Sequence, residues 1–304
     1  MSAPIVLFTY CRPDHTRRTV ESLLKNRLVS ESDLIVYSDA ARTPEKQQAV
    51  DAVRAYLGTI SGFRSVTVKH RPENYGLARS IIQGVTEVLQ QSDRIIVLED
   101  DMVTSPHFLP YMNEALERYA DDERVVSIHA YVYPVDEPLP EAFFLTGADC
   151  WGWATWRRGW ACFNPDGQSL LDELGRRKLI RAFDFSGAYP CSKMLEDQIK
   201  GKNDSWAIRW HASAFLAGKL TLYPGRSLVQ NIGNDDSGQH GGATTAYDAP
   251  LAQQPLLLRP IPVEENKLAR QAVVRFLRAT RPTLIRRVAG RIRRWSARNL
   301  GAAS

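Results

Sequence analysis

The segment RIIVLEDDMVTSP, residues 94 to 106, carries three consecutive carboxylates, Glu99, Asp100 and Asp101. They follow directly on Ile95, Ile96, Val97 and Leu98, an apolar run that reads as a buried strand. Like charges crowded at a strand end repel, and burying them is costly unless a cation compensates. Mg²⁺ and Mn²⁺ prefer oxygen ligands and are commonly held by one or two carboxylates plus substrate phosphates. The cluster is therefore a candidate cation site, the alternative being a solvated acidic turn.

Further groups suit the same chemistry. Arg12, in TYCRP, carries a guanidinium that fits a diphosphate, although it also suits an ordinary surface. Asp39, in YSDA, is either a ligand contact or a cap. Asn74 and Gly76, in RPENYGLARS, open a helix whose N-terminus favours an anion, or they simply make the turn. CWGWATWRRGW concentrates Trp151, Trp153 and Trp156 among small residues. These indoles form either a wall for a sugar face or a plug between two subdomains. KMLEDQIKGKNDSWAIRW offers Glu196, Asp197 and Asp204 as proton acceptors, unless they only complement a helix dipole. NIGNDDSGQHGG is glycine-rich and contains His240, a candidate metal or phosphate contact.

These residues need a frame. Pro4 to Thr9, Leu34 to Tyr37, Val66 to Val68 and Ile95 to Leu98 are short apolar runs. Helical phases alternate with them: Val20, Leu23 and Leu24; Val50, Val53 and Leu57; Leu77, Ile81, Val85 and Val88; then Phe108, Met112, Leu116 and Tyr119 after the Ser105-Pro106 start. Repeated strand–helix units with continuously apolar strands predict an α/β fold, a mostly parallel sheet covered by helices on both faces. Such sheets bind ligands at the carboxyl ends of their strands, where the three carboxylates lie. From about residue 130 the pattern turns irregular, and residues 266 to 300 read as helix interrupted at Arg281-Pro282.

Composition narrows the class. The 304 residues are 44% hydrophobic, and the four cysteines form no C-x-x-C pair, which favours reduced thiols. Neither a signal peptide nor a membrane-long apolar run is legible, so a cytoplasmic location is expected. All 34 acidic residues precede Lys267, and eleven basic residues follow Glu265. The body is thus net acidic, which argues against a nucleic-acid partner. Leu284, Ile285, Val288, Ile292 and Trp295 fall at helical spacing between arginines, the pattern of a helix lying on an anionic membrane surface or packed on the acidic body.

The ordered set TYCRP, YSDA, RPENYGLARS, EDD, GWATW, ED and SGQHG resembles the GT-A-fold glycosyltransferases, family-2-like and N-acetylglucosaminyltransferase-I-like, over roughly residues 4 to 245. The resemblance implies a metal-dependent, inverting transfer of a sugar from a nucleotide donor, UDP above all, to a saccharide or lipid-linked saccharide in surface-polysaccharide synthesis. It implies Mn²⁺ or Mg²⁺ at Asp101 and His240. The nucleotide and diphosphate would meet Thr9, Arg12, Asp39, Asn74, Gly76, Arg79, Glu99 and Asp100. Asp197 would be the base, and Trp151, Gly152, Trp153, Glu196 and Trp206 would line the sugar pocket. The implied organisation is a nucleotide-sugar half over 1–130, an acceptor half over 131–262 and a basic helical tail over 263–304. A nucleotidyltransferase of similar fold and a non-enzymatic carbohydrate-binding protein are the competing readings.

Overall fold

The computed structural model describes residues 2–235 and 244–280. Four strand–helix units build the first half. β1 (Ile5–Thr9) leads to α1 (Pro13–Leu24), β2 (Asp33–Ser38) to α2 (Gln47–Leu57), and β3 (Ser65–His70) to α3 (Gly76–Gln91). β4 (Arg94–Glu99) passes through the short β5 (Met102–Thr104) to α4 (Phe108–Arg118). The four apolar runs and four helical phases of the sequence are these elements.

The part without clear periodicity also folds into regular structure. It contains β6 (Val125–His129), β7 (Ala142–Thr146) and β8 (Trp153–Trp156), then α5 (Arg157–Trp160) and α6 (Gly167–Arg176). α7 (Ile180–Phe183), α8 (Cys191–Ile199), α9 (Trp206–Leu216), β9 (Leu220–Pro224), β10 (Val229–Asn231) and α10 (Lys267–Ala279) follow.

Eight strands form one sheet in the order β3-β2-β1-β4-β8-β6-β9-β7. Only β7 and β8 run against the others. The carboxyl ends of β1, β2, β4 and β6 therefore share one edge. Alternation within the central strands divides the core. Ile5, Leu7, Ile96 and Leu98 face one hydrophobic cluster, and Val6, Phe8, Ile95 and Val97 the other. Burial on both faces is what makes these strands continuously apolar. β3 departs from that expectation: it is an edge strand whose residues are half-buried or exposed.

Two features position the site. β5 and β10 pair as a separate antiparallel ribbon, bringing residues 231–233 across the end of β4. α10 lays Ala269, Val273, Val274 and Leu277 against Val132, Phe143, Leu145 and Tyr223. The basic region that sequence separated at residue 263 is thus packed on the body as far as Ala279, and the arginine-rich pattern over 284–298 lies outside the described residues.

Candidate active site

The compensating cation at the end of β4 is Arg12. Its guanidinium bonds to Asp100 and, at 2.8 Å, to Asp101. The neighbouring turn adds the Tyr10 N–H, 3.3 Å from Asp100 Oδ2. From α1, the Thr19 hydroxyl donates to the Asp100 carbonyl at 2.8 Å. Burial pushes the Asp100 carboxyl up while Arg12 pulls it down, and the net direction is upward. Glu99 is raised too, first by burial and then by the charges of Asp101 and Asp100, with Arg12 and Trp206 partly offsetting them. Burial disfavours the Arg12 charge, but the two aspartates outweigh it and raise its pKa.

One oxygen is left over. Asp101 Oδ1 is buried with no hydrogen-bond partner, an orphan acceptor of the kind a hard cation satisfies. No group of three or more histidine, cysteine or acidic side chains is gathered to hold a metal among the described residues. The fit is therefore to a cation held by one or two carboxylates and completed by a diphosphate. His240 lies outside the described residues. The segment beyond β10 closes over the cluster: the Ile232 N–H donates to the Asp101 carbonyl at 2.9 Å. A Cβ on Gly233 would fall 2.2 Å from Asp101 Oδ2 and 2.9 Å from Arg12 Nη1, so only glycine allows this approach. Sequence reading treated Gly233 as part of a polar loop and missed that contact.

The β2 end is organised around Asp39. Its carboxylate accepts the N–H groups of Tyr75 at 2.8 Å and Gly76 at 2.9 Å, and the Asn74 amide at 3.1 Å. It thus caps the start of α3, and Asn74 also bonds to the Ala40 carbonyl at 2.7 Å. Thr9 is buried, with its hydroxyl directed at the Tyr37 carbonyl. Arg79 stacks over Tyr75 at 3.7 Å and pairs with Glu73. Arg71, in the quoted motif but not singled out, lies over both Tyr37 and Tyr75. Its Nε and Nη2 are buried without partners, so this guanidinium has donors to spare over the two rings.

The tryptophans require a correction. Trp153 and Trp206 are 1% and 2% exposed, and they stack at 5.4 Å in a core with Trp160 and Trp210. They plug the space between β8, α3 and α9 and offer no face to a sugar. Gly152 is likewise filled by protein, since a Cβ there would meet Val229 at 2.8 Å and Leu98 at 3.4 Å. Trp151 alone of that trio remains half-buried, edge-on to Tyr131 and Tyr247.

Asp197 sits on α8, held by Lys193 at 2.6 Å and Lys202 at 3.6 Å. The Lys193 hydrogen bond keeps its carboxyl below the ordinary range. Glu196 pairs with Lys193 and Lys200 on the same helix. None of these partners belongs to the carboxylate cluster. Asp204 is nearer in connectivity: two residues on, Trp206 is close enough to influence Glu99. Asp204 also lines a cleft of about 240 Å³ with Arg79, Gln83 and Arg209, and it pairs with Arg209 at 3.1 Å.

Comparison with known proteins fits this geometry. The sequence pattern of Glycosyl transferase family 2 matches residues 5–159, just over half the chain. No curated protein matches. Among solved structures, the mannosyltransferase PcManGT from Pyrobaculum calidifontis, in complex with GDP-Man and Mn²⁺, is 14% identical with a TM-score of 0.33, covering 44% of this chain and 36% of its own. TarS from S. aureus is 13% identical with a TM-score of 0.36, covering 54% and 30%. A UDP-glucose pyrophosphorylase complexed with UDP-glucose gives 13% and 0.35, covering 73% and 90%. This chain thus spans about a third of the first two, and likenesses this distant say nothing of its substrate. The matched pattern runs from β1 through the cluster at the end of β4 into α5, and on that match the chain belongs to glycosyl transferase family 2.

Proposed function

We propose that the protein transfers a sugar from a nucleotide donor, UDP before other nucleotides, to a saccharide or lipid-linked saccharide, with inversion and with Mn²⁺ or Mg²⁺. The observation that carries this reading is the buried, unpartnered Asp101 Oδ1 beside Asp100 and Arg12, on a family-2 sheet edge. Asp101 and Asp100 would hold the cation, which would supply Lewis-acid stabilisation of the departing diphosphate. Arg12 reaches both aspartates and is the cationic side chain best sited to take up diphosphate oxygens. Asp39 fixes the start of α3, and Arg71 and Arg79 flank that helix start with guanidinium donors.

The acceptor hydroxyl attacks the anomeric carbon, the carbon–diphosphate bond breaks, and the hydroxyl proton passes to a carboxylate. Asp197 is the sequence-based candidate, but two lysines hold it in the form least able to take a proton. Asp204 lines the cleft with Arg79 and lies two residues before Trp206, which influences Glu99, and we favour it. Asp204→Asn should lower kcat by about 10²- to 10⁴-fold with donor affinity unchanged, and Asp197→Asn should do less. The reverse order restores Asp197. An anionic membrane surface remains a proposed partner for the arginine-rich segment beyond residue 280, with a peripheral cytoplasmic setting in polysaccharide synthesis.

A panel of nucleotides and nucleotide sugars, screened by thermal shift with and without Mn²⁺, tests the reading. UDP species should raise the melting temperature only when Mn²⁺ is present. A panel with no stabilising nucleotide would overturn it.

A further inference from the structure

Asp149 is a carboxylate that the proposed mechanism leaves unused. It lies in the segment 147–152 that joins β7 to β8, among aromatic rings. Its Oδ2 faces the hydroxyls of Tyr133 at 3.3 Å and Tyr223 at 3.4 Å, and its Oδ1 accepts the Cys150 N–H at 2.8 Å. Burial raises the pKa of both tyrosines well above the ordinary range, so each stays protonated and donates. His129 Nε2 is 3.9 Å away, but it accepts the Trp151 N–H at 3.1 Å and burial favours its neutral form.

No lysine or arginine forms an ion pair with Asp149 among the described residues. A carboxylate in aromatic surroundings without a cationic partner is costly to keep. Asp149 is also not sealed off: 23% of its side chain is exposed. A carboxylate has about four acceptor positions, and here three are used, two of them at long range. Trp151, two residues further along the same segment, and Tyr247, edge-on to it, are half-buried. The segment itself is held rigidly, by the Trp151 N–H on His129 and by His211 Nδ1 at 2.7 Å from the Ala148 carbonyl.

Its place along the sheet edge supplies the remaining step. The ends of β4 and β6 are separated by β8 alone, so at ordinary strand spacing they lie about 10 Å apart. Cys150 lies between them, its thiol raised by burial and then by the charges of Asp149, Glu99 and Asp101. On the glycosyl-transfer reading, a diphosphate at Asp101 and the donor sugar would take up that interval, and the next ring would be the acceptor's.

We propose that Asp149, braced by Tyr133 and Tyr223 and walled by Trp151 and Tyr247, grips the acceptor as a neutral pyranose, its carboxylate accepting hydrogen bonds from ring hydroxyls. The inference rests on the glycosyl-transfer reading above. The carboxylate excludes sugar acids by like-charge repulsion, and the aromatic rings take the apolar sugar face.

Saturation-transfer NMR on the full chain with UDP and Mn²⁺ tests it. The probes are the methyl glycosides of glucose, galactose, mannose and N-acetylglucosamine, with methyl glucuronide as the anionic control. At least one neutral glycoside should take up saturation and the glucuronide none. Asp149→Asn should weaken glycoside binding about tenfold or more with UDP affinity unchanged, and Tyr133→Phe less. Should the Asp149 variant not fold, Trp151→Leu decides by the same readout. Undiminished glycoside binding by a folded variant overturns the proposal, as does a wild-type protein that binds UDP but no neutral glycoside. Failure to bind UDP at all removes the functional reading instead.

Discussion

Two stretches of this sheet edge treat their carboxylates differently. At β4, Asp100 and Asp101 share the Arg12 guanidinium. In the β7–β8 segment beside the end of β6, Asp149 has tyrosine hydroxyls and a backbone N–H but, among the described residues, no ion pair with lysine or arginine. A charge-compensated cluster with one oxygen to spare suits an anionic ligand brought by a cation. A carboxylate among aromatic rings suits neutral hydroxyls. The difference teaches that the edge is graded in its carboxylates, from ion pairing at β4 to hydroxyl hydrogen bonds and aromatic rings beside β6; on the proposed reading the first would take the donor and the second the acceptor.

Substitutions can break or sharpen that contrast. The largest effect should come from the wedge between the two ends. Trp153→Ala empties a fully buried site and should cost about 3–5 kcal/mol in denaturant unfolding. Trp151→Ala, half-buried, should cost far less and act on sugar binding. Equal costs would mean that both tryptophans serve the core.

Arg12→Gln should destabilise the protein by about 3 kcal/mol, because it leaves two carboxylates without their counter-charge. Mn²⁺ should return much of that loss, which thermal melts with and without chelator will read. A variant as stable as wild type would remove Arg12 as the compensating group. Asp39→Ala removes the acceptor of three donors at the start of α3 and should cost about 2 kcal/mol. Asp39→Asn should recover part of it.

Acid sensitivity belongs to the β6 side. Burial lowers the pKa of His129 and His211. Unfolded histidines take up protons near pH 6.5, so the unfolded state binds more protons below that value. The contribution of these two histidines is then full above about pH 6.5 and is lost on acidification, by up to about 1.4 kcal/mol per pH unit for each, while the raised carboxyls of Glu99 and Asp100 act in the opposite sense. His211→Asn should flatten that fall, as melts at pH 7.5 and 5.5 would reveal. An unchanged pH dependence would assign the acid sensitivity to other groups.

The β4 side was legible because its signals are local. Four apolar runs, each ending in polar residues, gave β1 to β4, and the position of Glu99 to Asp101 followed from chain order alone. The partner of those carboxylates was not legible, because Arg12 reaches them through the parallel pairing of β1 with β4. The same holds for Gly233, brought in by the β5–β10 ribbon. The tryptophans were misread because an indole in a small-residue segment looks alike in a wall and in a core. Only the packing of β8 against α3 and α9 separates Trp153 from Trp151. Asp149 carried no sequence signal, since Tyr133 and Tyr223 lie far from it along the chain.

The most direct test of the account is calorimetric titration of UDP into the wild-type protein and Asp101→Asn, each with Mn²⁺ and with chelator. The wild type should bind UDP at least about tenfold more tightly with Mn²⁺, and the variant should lose that difference while keeping its fold. Wild-type affinity indifferent to chelation would contradict a cation-borne diphosphate at Asp101.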